Sequence, residues 1–331
     1  MSKFDLLYYC DSYPAIGNGH LKRCLDIIQY ILKSTSHTKI GVTGYFSMRA
    51  KNFLTNHLPE SVSTFLDETP DKRTKLAILD TIFPGDANTI PQIKCDQLAQ
   101  ISDQVFTFNT GIEKTFVPEC IDGIFNHIPV TTYYGNIDFK KYFGPKYSPV
   151  DPEFYPGEDK WNQNILVMLG GNQDQYGPKI LTEKLSKTIN SNYEIDFILS
   201  PHYPEDKKQK LKENYSRINF YQNVNSVVPF MKNCQALICT YGNTTWEGLT
   251  MHKPIYIVSY LDFQKYFAEH LAQEGYAVDL GYLDDLHLEQ LNKIKDRNLQ
   301  KRLVNTTKNK FKKPGIINIA NSILEEINVS E

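Results

Sequence analysis

The chain has 331 residues, 41% of them apolar, and its 36 Lys and Arg against 38 Asp and Glu leave a net charge of −2. That length fits two domains with proper cores, and basic residues scattered without a stripe argue against nucleic acid or an anionic membrane, which leaves a small ligand. No apolar run approaches the roughly 20 residues that span a bilayer, and the N-terminus enters a strand pattern without a cleavable leader, so a cytoplasmic protein with no membrane span is expected.

In chain order, the first half alternates strand and helix signals. A strand is expected at Phe4 to Tyr9 and a helix at Leu21 to Leu32, where Leu21, Cys24, Leu25, Ile28, Ile31 and Leu32 recur at three- and four-residue intervals. A strand at Lys39 to Thr43, a helix at Arg49 to His57 and strands at Val62 to Leu66 and Lys75 to Asp80 follow. Beyond Asp80, Val105 to Phe108 and Thr131 to Tyr134 read as extended, interrupted by Pro84, Pro91, Pro118 and Pro129. Between Tyr142 and Trp161, Pro145, Pro149, Pro152 and Pro156 with Gly144 and Gly157 mark an ordered loop or linker. A second alternating series then begins: strand Ile165 to Leu169, helix Lys179 to Ile189, strand Glu194 to Leu199, helix Pro204 to Asn214, strand Ile218 to Tyr221 and helix Val227 to Lys232. Strand Ala236 to Cys239, helix Thr245 to Met251 and strand Pro254 to Ser259 complete it, and Pro314 to Ile327 is an amphipathic helix. The alternation implies an α/β chain of two Rossmann-like domains with mostly parallel sheets, residues 1–157 and 158–312, with 313–331 packing back on the first. The six cysteines lack C-x-x-C spacing and several sit in apolar runs, which suits buried, reduced thiols.

In such sheets ligands gather at the carboxyl ends of strands. Three loops of that kind stand out. Gly17-Asn18-Gly19-His20 sits between a strand and a helix, with Arg23 and Cys24 just beyond. Its glycines allow close backbone approach, and a histidine in the first helical turn can exchange a proton with whatever binds; a histidine satisfying its own helix terminus is the alternative. Gly170-Gly171 ends a strand with Asn172 and Asp174 beside it, either a plain turn or a backbone approach to phosphate or sugar. Gly242-Asn243-Thr244-Thr245 leads into a short helix whose free N–H groups would hold a diphosphate without a metal, with Glu247 available for a ribose diol. Thr244-x-x-Glu247 equally spells a capping box that needs no ligand. Gln264 is either a solvated loop amide or a partner for sugar hydroxyls. Lys22 stands where a dinucleotide fingerprint needs its third glycine, and no phosphate-loop, metal-ligand or nucleophile-elbow motif occurs.

Cys10-Asp11-Ser12 followed by Ile16-Gly17-Asn18-Gly19-His20-Leu21-Lys22-Arg23-Cys24-Leu25 closely resembles the opening of the UDP-sugar hydrolases of the pseudaminic acid pathway. Those enzymes act on UDP-2,4-diacetamido-2,4,6-trideoxy-β-L-altropyranose and belong to the GT-B superfamily. Gly144 to Tyr147 with Glu153-Phe154, Ile165 to Gly171 with Asp174, Cys239 to Glu247 with Lys253-Pro254, and Gln264 with Leu271 and Gly275 are similar to later segments of that family, in the same order. The resemblance implies a GT-B fold with a substrate cleft between two Rossmann-like domains. It implies His20 as general base on the water that attacks the anomeric carbon, releasing UDP with inversion, and no cofactor or divalent metal. Gly17, Asn18, Gly19, Arg23, Gly170, Gly171, Asp174, Asn243, Thr244, Thr245, Glu247 and Gln264 are then substrate contacts, with Glu247 on the ribose. Two departures fall in the half expected to surround the sugar: Asp80-Thr81-Ile82-Phe83-Pro84 lacks the family's tyrosine, and Asn109-Thr110 replaces a paired aspartate. An inverting glycosyltransferase with a sugar acceptor, or a non-catalytic nucleotide-sugar-binding protein, are the alternatives.

Overall fold

A computed structural model describes residues 4–13, 19–68, 70–71, 73–81, 89–109, 115–128, 134–135, 137–155, 163–170, 176–189 and 192–329. The chain divides into two compact units, Met1–Pro149 with Lys313–Glu331, and Val150–Lys312. The division falls ahead of the 157/158 boundary expected from the proline-rich segment.

The first unit contains β1 (Phe4–Cys10), α1 (Gly19–Ser34), β2 (Ile40–Gly44), α2 (Met48–His57), β3 (Ser63–Leu66), β4 (Thr74–Asp80), α3 (Gln92–Ala99), β5 (Ser102–Phe108), β6 (Gly123–Asn126) and β7 (Lys140–Phe143). Its strands form one parallel sheet in the order β3-β2-β1-β4-β5-β6-β7. Leu6, Leu7 and Tyr8 are all fully buried, as both-face burial of a parallel strand requires. Ile27 lies off the expected apolar stripe of α1, yet it is buried because α1 is also covered by the C-terminal helix, Gly315–Val329. That helix contributes Ile316, Ile319, Ala320, Ile323 and Ile327 to the same core. It starts at Gly315, where a Cβ would come within 2.2 Å of the Ser148 carbonyl, so only glycine permits the approach. Near its other end Glu326 accepts a 2.6 Å hydrogen bond from Tyr142 and pairs with Lys140.

Three elements of this unit left little periodic signal. In α3 only Cys95 and Leu98 are buried, too short a stripe to read. β6 begins at Gly123, over which the Phe106 ring lies; a Cβ there would be 2.8 Å from it. β7 is a four-residue edge strand opening with two lysines, a common way of protecting an edge, and it occupies part of the segment expected to be loop. Of the expected extended stretch Thr131 to Tyr134, Tyr134 lies outside any strand and the rest falls outside the described residues. The expectation of six reduced thiols is corrected: Cys95 on α3 and Cys120, in the turn before β6, form a disulfide with Cα atoms 6.5 Å apart. Both pack over the same face of the sheet, which places distant positions within bridging range. Cys10, Cys24, Cys234 and Cys239 are free and buried.

The second unit contains β8 (Asn164–Met168), α4 (Gly177–Thr188), β9 (Glu194–Ile198), α5 (Glu205–Asn214), β10 (Ile218–Tyr221), α6 (Val228–Asn233), β11 (Ala236–Cys239), α7 (Asn243–Thr250) and β12 (Ile255–Ser259). α8 (Asp262–Gln273), β13 (Ala277–Tyr282), α9 (Leu288–Asn292) and α10 (Arg297–Lys310) complete it. Its parallel sheet runs β10-β9-β8-β11-β12-β13. Both sheets therefore reverse winding direction once, between β1 and β4 and between β8 and β11, and those reversals are where ligands bind in open α/β sheets. Among the described residues no helix is long and apolar enough to cross a membrane.

Candidate active site

At the first reversal β1 and β4 run side by side, with Cys10 opposite Asp80. Asp80 ends the apolar run of β4, and its carboxylate is fully buried. The first two turns of α1 reach over it. His20 and Arg23 are three residues apart, so they share one helix face. His20 Nδ1 lies 2.6 Å from Asp80 Oδ1, Arg23 Nε donates to Oδ2 at 2.7 Å, and Arg23 Nη2 donates to Oδ1. From beneath, the Tyr8 hydroxyl donates to Oδ2 at 2.6 Å. The Arg23 guanidinium also stacks on Phe108, 4.4 Å from its ring centre. A single carboxylate thus organises a base, a cation and a phenol.

Burial by itself would push the Asp80 carboxyl up, but Arg23 and then His20, by charge and hydrogen bonding, hold it well below the usual carboxylate range. Asp80 is therefore ionised at neutral pH, and its 2.6 Å contact favours a proton on Nδ1 over the longer 3.1 Å approach of Arg23 Nη2 to the same nitrogen. The neutral imidazole then has its lone pair on Nε2, the tautomer a general base needs. Burial would lower the Arg23 value, yet Asp80 keeps the guanidinium charged; burial and Asp80 together raise Tyr8, which stays a neutral donor. Only 14% of the His20 side chain and 13% of Arg23 is accessible, so the pair is largely buried but not sealed. Protonation of His20 would turn the Asp80–Arg23–His20 group from neutral to net positive, which favours a departing anion.

Two further buried groups frame this edge. Asp11 after β1 accepts from Tyr45 N at 2.9 Å and from the Thr81 hydroxyl at 2.7 Å, tying together the loops that follow β1, β2 and β4. Asn109, at the position where the sequence departs from the expected paired aspartate, accepts from Thr115 and Tyr134. His127, directly after β6, is held neutral by burial and secondarily by Arg23, its pKa lowered from 6.5 to about 3. A histidine whose folded-state value is depressed stabilises fully above its unfolded pKa and loses that contribution as pH falls toward the folded value. Between about pH 6.5 and pH 5 the wild type should therefore lose about 2 kcal/mol more stability than His127→Gln. Denaturant midpoints at the two pH values measure this; parallel losses in both proteins would refute it.

At the second reversal, Gly170 follows β8 with φ +85, and the Thr240 hydroxyl beyond β11 donates to Leu169 O at 3.2 Å. α7 starts at Asn243 with Gly242 as its N-cap, and no side chain caps it. The capping box open in the sequence is thus not formed, and Glu247 lies in the second turn of α7, partly buried. Thr245 is fully buried; its hydroxyl donates to Thr240 O at 3.1 Å, so its side chain secures the loop. A Cβ on Gly242 would meet nothing within 4 Å, and its φ of 162 is open to any residue, so neither packing nor backbone conformation requires glycine. Gln264 is neither a loop amide nor uncommitted: it lies in the first turn of α8 and its Oε1 accepts from Tyr260 N and Leu261 N, which leaves its NH2 to donate.

The structure brings His20 and Arg23 together and puts Gly19 beside them at the start of α1. Asn243, Thr244, Thr245 and Glu247 share α7. Gly17, Asn18, Gly171, Asn172 and Asp174 lie outside the described residues. Asp80 and Tyr8 were not selected from sequence as site residues. An acid closing the apolar run Leu76 to Leu79 is the signal that could have found Asp80; Tyr8 reads only as a core aromatic.

No protein-family model matches the chain. It is 29% identical to the uncharacterised protein MJ1062 of Methanocaldococcus jannaschii over 171 residues, 44% of this chain and 35% of that protein. It is 26% identical over 230 residues to the spore coat polysaccharide biosynthesis protein SpsG of Bacillus subtilis, covering 65% of each. Over 253 residues it is 23% identical to the Helicobacter pylori pseudaminic acid cytidylyltransferase and UDP-2,4-diacetamido-2,4,6-trideoxy-β-L-altropyranose hydrolase, covering 75% of this chain and 43% of that one. The matches span 35% to 65% of the length of these relatives. Among solved structures, the calicheamicin glycosyltransferase CalG4 aligns with a TM-score of 0.68 at 11% identity, covering 99% of both chains. MurG of Acinetobacter baumannii aligns at 0.66 and 12%, covering 98% of this chain and 100% of that one. Anabaena HepE, solved with UDP and glucose, aligns at 0.56 and 12%, covering 98% and 99%. These likenesses show the fold: two Rossmann-like units of the GT-B glycosyltransferase type.

Proposed function

We propose that the chain is a metal-independent UDP-sugar hydrolase of surface-polysaccharide biosynthesis, acting on the cytoplasmic nucleotide-sugar pool, with His20 as general base. The observation that carries the reading is the 2.6 Å contact of His20 Nδ1 with an ionised, buried Asp80. Nε2 takes a proton from water as the water oxygen bonds to the anomeric carbon. The bond from that carbon to the diphosphate oxygen breaks, its electron pair leaves with UDP, and the configuration inverts. In the second unit the uncapped first turn of α7, opened by Gly242, offers N–H groups to the diphosphate beside Asn243 and Thr244, with Glu247 for the ribose. Arg23 takes part through Asp80, keeping that carboxylate charged. The names of the Helicobacter pylori relative and of the HepE complex support UDP as the nucleotide.

Transfer to an acceptor hydroxyl is the second reading, favoured by the glycosyltransferases among the solved neighbours. The same base would serve it. The test is to incubate the protein with UDP-sugars, including the diacetamido-trideoxy-altropyranose, and to follow free UDP with and without sugar acceptors. Release without acceptor supports hydrolysis. Release only with acceptor moves the assignment to transfer, and neither release nor UDP binding overturns both.

A further inference from the structure

Tyr8 and Tyr9 are consecutive in β1, so the pleat sends them to opposite faces of the sheet. Tyr8 lies on the α1 face with Asp80, whereas Tyr9 packs with Cys95 and Leu98 of α3. The first turns of α1 and α3 therefore flank the crevice above β1 and β4 from its two sides. One turn brings His20; the other brings Lys94.

We propose that Lys94, Tyr9 and Tyr45 form a recognition site for an anionic group, a carboxylate or a phosphate ester, carried by the sugar or by its acceptor. The assignment rests on the nucleotide-sugar reading above and adds the charge of its substrate. The Lys94 ammonium lies 4.4 Å from the Tyr45 ring centre and 5.3 Å from that of Tyr9, and among the described residues no carboxylate pairs with it. Aromatic faces hold a cation in place without neutralising it. Tyr9 is only 3% exposed and its hydroxyl makes no well-aligned hydrogen bond, while burial and then the neighbouring Asp11 carboxylate keep the phenol a neutral donor. Asp11, the acid on this side, has its two oxygens occupied by Tyr45 N–H and the Thr81 hydroxyl. α3 starts after Pro91 with no side chain capping it, so its first-turn N–H groups add to the positive potential. Tyr45 is 49% exposed and Ile93 73%, which keeps the site open to solvent.

The test is calorimetric titration of the whole chain with inorganic phosphate and with glucuronate, in saturating UDP so that the α7 turn does not compete for the anion. Lys94→Met should weaken both anions by about 10- to 100-fold, the loss of one charge-assisted contact. Lys94→Arg should retain most of the binding, and Tyr9→Phe should lose several-fold. UDP affinity should stay within about twofold in all three, and circular dichroism with denaturant midpoints near the wild-type values shows that the first unit folds in each. Turnover of UDP-glucuronate against UDP-glucose identifies the carrier: a preference erased by Lys94→Met puts the anion on the sugar, and an unchanged ratio with weakened phosphate binding puts it on the acceptor. Anion binding that is absent from the wild type, or indifferent to Lys94→Met, overturns the proposal whatever UDP does. Failure of UDP to bind the wild type overturns the functional reading instead, and the anion titrations still stand.

Discussion

His20→Ala should lower turnover of a UDP-sugar by about 10²- to 10⁴-fold, the usual contribution of a positioned base, while UDP affinity changes little. The two quantities separate because the nucleotide is assigned to α7 of the second unit and the imidazole belongs to α1 of the first. The fold should survive, since Arg23 and Tyr8 still hold the Asp80 carboxylate. Steady-state kinetics with and without acceptor, beside UDP titration, provide the measurement. Turnover unchanged in His20→Ala would remove the histidine from the chemistry.

Asp80→Asn should be the most damaging single change for stability. The amide matches the carboxylate in size but removes the charge that balances a buried guanidinium. Its NH2 would also face donors on every side: Arg23, the Tyr8 hydroxyl and His20 Nδ1–H. Breaking one partner of a buried ion pair typically costs about 3–5 kcal/mol. Turnover should fall as well, because the imidazole is no longer held in the tautomer with Nε2 free. The pH dependence distinguishes this from a generic packing defect. A carboxylate whose folded-state pKa is depressed stabilises fully above its unfolded value, near 3.9, and loses that contribution as pH falls through the folded value. Wild-type and variant denaturation curves should therefore be far apart at neutral pH and converge only at strongly acid pH. A constant gap across the acid range would show that the Asp80 charge is not what stabilises the site.

Much of the fold was legible before the tertiary structure. Continuous apolar runs such as Phe4 to Tyr9 and Ile255 to Ser259 mark strands buried on both faces, and the stripe from Leu21 to Ile31 marks a helix with one. Elements whose stability comes mainly from neighbours left weak signals. Gly123 gives β6 no strand character but leaves room for Phe106, and β7 is an edge strand with two lysines. The Cys95–Cys120 bridge joins positions 25 residues apart, and nothing in their spacing reveals that they meet.

The candidate site divides in the same way. By itself the sequence determined that a glycine-flanked histidine opens a helix after the first strand and that Gly242 to Glu247 opens another after β11, because turn chemistry and periodicity are local properties. Only the tertiary structure decided that Asp80, 60 residues from His20, meets its Nδ1, and that α7 begins at Asn243 with no capping box. It alone set Lys94 over Tyr9 and Tyr45. The physical reason is that hydrogen bonds and charge depend on distance in space, and parallel pairing of β1 with β4 turns a long separation in sequence into neighbouring strand ends.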